Sequence, residues 1–165
     1  MFEFLLTLTT SLSSLSATNS VVQPNVIAVA QPNLDAAAEY QNALVLHQAE
    51  QWPEAVAAYQ RVIDLDPSYD AAYINLSLIF IAVDDLDSAK PLLQQVLELP
   101  DREEFPASIH AIAHYNLGII QFRQGALVEA LAETEQALAI APNFEQAQTF
   151  LAQLQAQNSA PTQTP

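Results

Sequence analysis

The sequence predicts an all-α chain of stacked helical hairpins, and three observations carry that expectation. Glycine occurs only twice in 165 residues while 51% of the chain is hydrophobic, a composition rich in Ala and Leu that favours helix over strand. Trp52 to Pro67 reads as a short amphipathic helix, with Ala55, Tyr59 and Val62 at i, i+4 and i+7 on one face. The pattern then recurs: Ala89 follows Ala55 by 34 residues, Ala130 follows Ala89 by 41, and Pro67 and Pro142 each lie 12 residues beyond their alanine. Helices this short are marginal alone, so three of them imply hairpins that cover one another's apolar faces.

Residues 1–33 stand apart and are expected to be poorly ordered. Phe2 to Leu8 is an apolar run followed by Ser/Thr-rich sequence to Ser20. It is too short and too hydroxylated for a transmembrane span of ~20 apolar residues. The apolar run and Ser16-Ala17 suit a signal peptide, but the first basic residue is Arg61, so the cationic start of such a signal is missing. Cytoplasm and export both stay open. Residues 21–32, with Pro24 and Pro32 bracketing Val26 to Ala30, read as an apolar extended segment or linker.

The folded part is expected over 34–157, in repeats 36–69, 70–106 and 107–144 with a capping helix over 144–157. A first helix runs from Leu34 to Ala49, with Asn33 or Asp35 as its cap. Glu50-Gln51 turns the chain into the Trp52 helix. Pro53 suits its first turn, and Pro67 ends it by biasing Asp66 away from helical geometry. Ser68 is placed to cap the next helix, which runs to Val83. Asp84-Asp85 makes the second turn, and a helix over 86–99 comes after it. Pro91 lies about a turn inside that helix and predicts a late start or a kink. Pro100 to Pro106 is a longer, charged connection that absorbs the seven residues exceeding the 34-residue period. The third hairpin starts near Ala107, turns at Gln124-Gly125 and ends before Pro142. The last helix sets Phe144, Ala147, Leu151 and Leu154 on one face and Gln on the other, as a solenoid end requires. The tail, 158–165, is polar and is expected to be disordered.

A 34-residue helix–turn–helix period identifies a resemblance to tetratricopeptide repeat (TPR) proteins. The residues that carry it are Asn116-Leu117-Gly118 with Ala130, Ala137 and Pro142; Leu76-Ser77 with Phe80, Ala89 and Val96; and Ala43 with Ala55, Tyr59, Val62 and Pro67. Only Gly118 keeps the family's glycine, Ala43 and Ser77 being small substitutes, and no repeat has its early Trp. The resemblance implies a right-handed α-solenoid of three hairpins plus the capping helix. Small residues facing each other, Ala43 with Ala55, Ser77 with Ala89 and Gly118 with Ala130, let paired helices approach closely.

In such a stack the first helices line the inner curve. The helix over 71–83 is apolar nearly all round, which means either full burial or contact with something else. The expected groove is marked by Tyr40, Leu44 and His47 in repeat one, by Ile74, Leu78 and Ile81 in repeat two, and by Tyr115, Ile119 and Phe122 in repeat three. Asn75 and Asn116 sit beside it at equivalent positions, where the resemblance implies amides that hold a peptide backbone. Arg123 is the lone cation near it. The basic residues of the carboxylate-clamp subclass are absent, Tyr40 and Leu44 occupying two of their places. An apolar peptide or helix of another protein, with basic character a further option, is therefore the expected ligand. The alternative is a self-associating or autoinhibited module whose groove holds residues 21–32 or another copy of the chain.

Other chemistry finds little support. A formal net charge of −15, from 4 Lys+Arg against 19 Asp+Glu, argues against nucleic acid and anionic lipid. Without cysteine there is no disulfide framework, zinc–thiolate site or thiol nucleophile. His110 and His114, with Asp101, Glu103 and Glu104 nearby, are too few and too unpatterned for a metal site. No cofactor, metal or catalytic residue is expected, and the function class is a non-catalytic interaction module.

Overall fold

The computed structural model describes residues 32–104 and 106–159, all within the unit Gln31–Pro165. The expectations for the signal-like run, for most of the 21–32 segment and for the end of the tail lie outside the described residues. Seven helices succeed one another there: α1 Pro32–Gln48, α2 Trp52–Leu65, α3 Asp70–Ala82, α4 Leu86–Glu98, α5 Ile109–Arg123, α6 Leu127–Ile140 and α7 Glu145–Ser159. They form an all-α solenoid. The hairpins are α1–α2, α3–α4 and α5–α6, joined through α2–α3, α4–α5 and α6–α7 contacts, and α3 also meets α5.

Each core cluster spans one hairpin and the next helix in the chain. Ala43, Ala55, Tyr59 and Val62 pack with Leu76 and Ile79 of α3. Ala89, Leu93 and Val96 of α4 pack with Ile74 and Ile81 of α3 and with Ile109, Leu117 and Ile120 of α5. Ala111 and Ala137 pack with Phe144 and Ala147 at α7. No hairpin buries its apolar face alone, which is why the repeats depend on their neighbours. The choice that the apolar α3 left open resolves mainly toward burial, with Leu78 as the main residue on its inner side left partly exposed.

The three hairpin turns are built alike. Glu50, Asp84 and Gly125 take positive φ values of 56°, 63° and 78°. In each turn the left-handed residue and the next one send their N–H groups back to carbonyls of the helix just ended: Glu50 to His47 and Gln51 to Leu46, Asp84 to Ile81 and Asp85 to Phe80, Gly125 to Phe122 and Ala126 to Gln121. This double closure satisfies carbonyls that the helix end would otherwise orphan. Only Gly125 takes the geometry without a Cβ penalty, and nothing lies within 4 Å of a Cβ built there. Gly125→Ala is thus expected to lower stability by about 1 kcal/mol through backbone strain alone, read as a reduced urea midpoint with unchanged m-value.

Three local expectations are corrected. α1 begins at Pro32, so Asn33 and Asp35 fall in its first turn instead of capping it; proline's fixed φ suits that first position. Ser68 does not cap α3, because its N–H and hydroxyl both donate to Asp66 Oδ1, at 3.0 and 2.6 Å. Of the two outcomes expected at Pro91 the late start is corrected: α4 starts at Leu86, where Asp85 caps it by accepting from the Ser88 N–H at 3.2 Å.

Candidate functional site

A cleft of about 860 Å³ opens where α1, α3 and α5 approach, bounded on one side by Pro100, Asp101, Arg102, Glu104 and Pro106 of the connection between the second and third hairpins. Ile74, Leu78, Ile109 and Ile112 supply its apolar surface, and Tyr40 and Tyr69 supply its aromatic one. Asp66, Asp70, Asp101 and Glu104 line it as carboxylates, with Arg102 as the cation among the lining residues.

The connection is folded onto the helices by specific bonds. Ile109 N–H donates to the Arg102 carbonyl at 2.9 Å, and His110 N–H donates to Asp101 Oδ1 at 3.0 Å. The Arg102 guanidinium forks onto Asp70, Nε to Oδ2 and Nη2 to Oδ1, while Nη1 donates to Glu104 Oε2 at 2.7 Å. Asp70 is the first residue of α3 and only 6% exposed, so the fork and the helix N-terminus together compensate its burial. The Asp70 hydrogen bonds hold the guanidinium proton affinity above its ordinary value.

The aromatic wall is similarly fixed. The Tyr40 ring lies 4.8 Å from the Tyr69 ring and 5.9 Å from Tyr59. Asn75 Nδ2 donates to the Tyr40 hydroxyl at 2.8 Å and to the Ala71 carbonyl at 2.9 Å. Both amide hydrogens of Asn75 are thereby used within the protein, which leaves Oδ1 as the atom able to accept from a ligand N–H. Burial pushes the Tyr40 and Tyr69 hydroxyls above the usual tyrosine range.

Tyr40, Ile74, Asn75 and Leu78 therefore meet in one cleft. The rest of the expected groove is put to other uses, and the picture of one continuous trough is corrected. Ile81 is 6% exposed and packs into the cluster shared by α3, α4 and α5, against which Ile119 also lies. Tyr115 packs on Phe144 and Phe150, with centroids 5.1 and 5.9 Å away, and Phe122 meets Phe150 edge-on at 5.7 Å. Phe144 and Phe150 thus pack on the aromatic residues of repeat three, which stay half-buried. Asn116, 4% exposed, returns its amide to the Ile112 carbonyl one turn earlier. Leu44 is half-buried outside the cleft lining. Arg123 donates from Nη1 to the Ile81 carbonyl at 2.6 Å and stands 3.6 Å from Asp84, tying α5 to the end of α3. Sequence reasoning missed Arg102, Tyr69 and the carboxylates around them. The seven-residue excess over the repeat period was the available signal, since an insertion between hairpins has to lie on some surface.

His47 is packed within the first hairpin, its Nδ1 3.1 Å from the Tyr59 hydroxyl and its ring edge-on to Trp52 at 5.5 Å. Burial lowers its pKa below the ordinary 6.5, so the folded chain favours neutral imidazole. That contribution is present above the unfolded value and is lost as pH falls through the lower folded one. Melting between about pH 7.5 and about pH 5.5 is expected to show a smaller loss in His47→Gln than in the parent chain. The other histidines are also engaged: His110 Nε2 is 2.8 Å from the Leu99 carbonyl and His114 Nδ1 is 2.7 Å from Glu133 Oε2. Among the described residues no three His, Asp or Glu side chains are grouped to hold a metal, and no helix is long and apolar enough to cross a membrane.

Comparison with known proteins bears on the family and the fold. The family description "TPR repeat" matches residues 43–82, and "Tetratricopeptide repeat" matches residues 75–145. The general transcriptional corepressor ssn6 of Schizosaccharomyces pombe is 31% identical over 106 residues, which cover 64% of this chain and 9% of that protein. The chain thus spans under a tenth of that relative's length. Among solved structures, the first TPR of Spaghetti (RPAP3) bound to HSP90 peptide SRMEEVD superposes with a TM-score of 0.65 at 16% identity, covering 76% of this chain and 94% of that one. The second TPR domain of human RPAP3, in complex with HSP70 peptide SGPTIEEVD, gives 0.64 at 20% identity over 75% of this chain and 98% of that one. These structural likenesses establish the fold.

Proposed function

Because this chain belongs to the tetratricopeptide repeat family, we propose that it is a non-catalytic interaction module, an adaptor or assembly factor that binds an apolar segment of another protein in the cleft between α1, α3 and α5. The observation that carries this reading is the cleft itself, in which Leu78, 36% exposed, and the Asn75 amide stand beside the Tyr40 ring. A bound apolar side chain would cover Leu78, and a peptide N–H would bond to Asn75 Oδ1. Burial contributes roughly 25 cal/mol per Å² before ordering costs, which places the affinity near micromolar.

The two solved neighbours hold peptides ending in Glu-Glu-Val-Asp. A cleft lined by four carboxylates and one guanidinium disfavours such an acidic tail, and Arg102 is already committed to Asp70 and Glu104. The ligand suited to this cleft is apolar and not acidic. Selection of random displayed peptides on the full chain tests the reading. Enriched peptides are expected to share an apolar anchor and to be lost on Leu78→Asp. Failure to enrich any peptide, or equal capture by Leu78→Asp, would overturn it.

A further inference from the structure

The cleft is chemically uneven. Toward the α2–α3 turn its apolar surface gives way to the Tyr40 and Tyr69 rings, with Asp66 and Asp70 on the same stretch of chain. The carboxylates there are not all satisfied by protein cations. Asp70 is taken by Arg102 at both oxygens. Asp66 accepts from Ser68 at Oδ1, and Asp101 accepts from the His110 N–H at Oδ1, so among the described residues each keeps its second oxygen for a ligand. Aromatic faces attract cations electrostatically, and a carboxylate alongside strengthens that preference.

Resting on the peptide-groove reading above, we propose that this end of the cleft is a subsite for a protonated lysine or arginine side chain of the bound segment. The cation lies against the Tyr69 ring and the Asp66 carboxylate, and the segment's apolar anchor sits beside it over Leu78. Arg102 supplies a precedent for a cation in this cleft: its guanidinium already lies between Asp70 and Glu104 among the same lining residues. Charge complementarity selects a foreign segment over the other occupants. Residues 21–32 contain no Lys or Arg. A second copy brings only 4 Lys+Arg and a formal net charge of −15, so it repels the same surface.

The test uses the full chain and peptides selected from the random display. A selected sequence is synthesised with its lysine and, separately, with norleucine, which keeps the alkyl stem and removes the charge. Fluorescence polarisation is expected to show about a tenfold weaker norleucine peptide. Asp66→Asn preserves the Ser68 bonds at Oδ1 and is expected to shrink that gap to about twofold, as is Tyr69→Leu, while Tyr69→Phe keeps it. Circular dichroism shows whether each variant retains its helices. Peptides that share an apolar anchor but no basic residue, or lysine and norleucine forms of equal affinity, would overturn the cation subsite and leave the groove standing. An empty selection would remove the groove, and the subsite with it.

Discussion

Gly118→Leu is expected to cost about 3 kcal/mol and to lower the melting temperature by roughly 10 °C. Gly118 is on α5 where it crosses α6. A Cβ built there lies 2.8 Å from Thr134 Oγ1, 3.3 Å from the Ala130 carbonyl oxygen and 3.6 Å from Glu133 Cβ. Thr134 is fully buried and donates its hydroxyl to that same Ala130 carbonyl at 2.7 Å, so its side chain is not at liberty to swing away. The carbonyl belongs to the α6 backbone and yields only if the helix moves. A leucine side chain therefore separates α5 from α6, and because Ala111 and Ala137 also pack on Phe144 and Ala147, the capping helix loses its seat as well. Thermal melts followed by circular dichroism read the effect. Gly118→Ala provides the graded control, since Thr134→Ala removes the nearest atom and should recover part of its loss in a double-mutant cycle. An unchanged melting temperature for Gly118→Leu would contradict the close crossing.

Leu78→Asp is expected to weaken peptide capture at least about thirtyfold, the effect of losing one well-packed anchor contact and placing a carboxylate on apolar surface. The fold should tolerate it. Leu78 is 36% exposed, whereas its α3 neighbours Ser77 and Ile79 are buried, so the new carboxylate stays in reach of water. The substitution also adds a charge to a cleft already rich in carboxylates, which makes a specific loss of an apolar ligand easy to separate from unfolding. Helicity by circular dichroism and affinity for a selected peptide are the two measurements. Retained binding with retained helicity would exclude the cleft as the site. Phe122→Asp is a poorer probe, because Phe122 is edge-packed on Phe150 of the capping helix and its loss disturbs structure as well as surface.

The residues expected along the groove divide along a physical line, some lining the cleft and others not. Tyr40, Ile74, Asn75 and Leu78 were legible because helical periodicity places them on one side of α1 and α3, and that geometry is local. Tyr115 and Asn116 occupy the repeat positions of Ile74 and Asn75, and Ile81 and Phe122 that of His47, yet each is claimed by a contact with another element or with its own backbone. Periodicity states which face a residue shares; it does not state whether that face is covered. Arg102 was invisible for a related reason. Its role depends on the path of the 100–106 connection, which no repeat pattern encodes, and on meeting Asp70 from 32 residues away.

What the sequence by itself determined is the helical hairpins, their turns and their dependence on one another. These arise from local rules of proline placement, small residues at crossings and a recurring apolar face, and those rules act within a few residues. Only the tertiary structure decided how much of the inner face stays open, that Phe144 and Phe150 pack on the aromatic residues of repeat three, and that an inserted loop supplies the cleft with its guanidinium. Those outcomes depend on which surfaces meet across the chain, a matter of long-range packing that residue spacing does not carry.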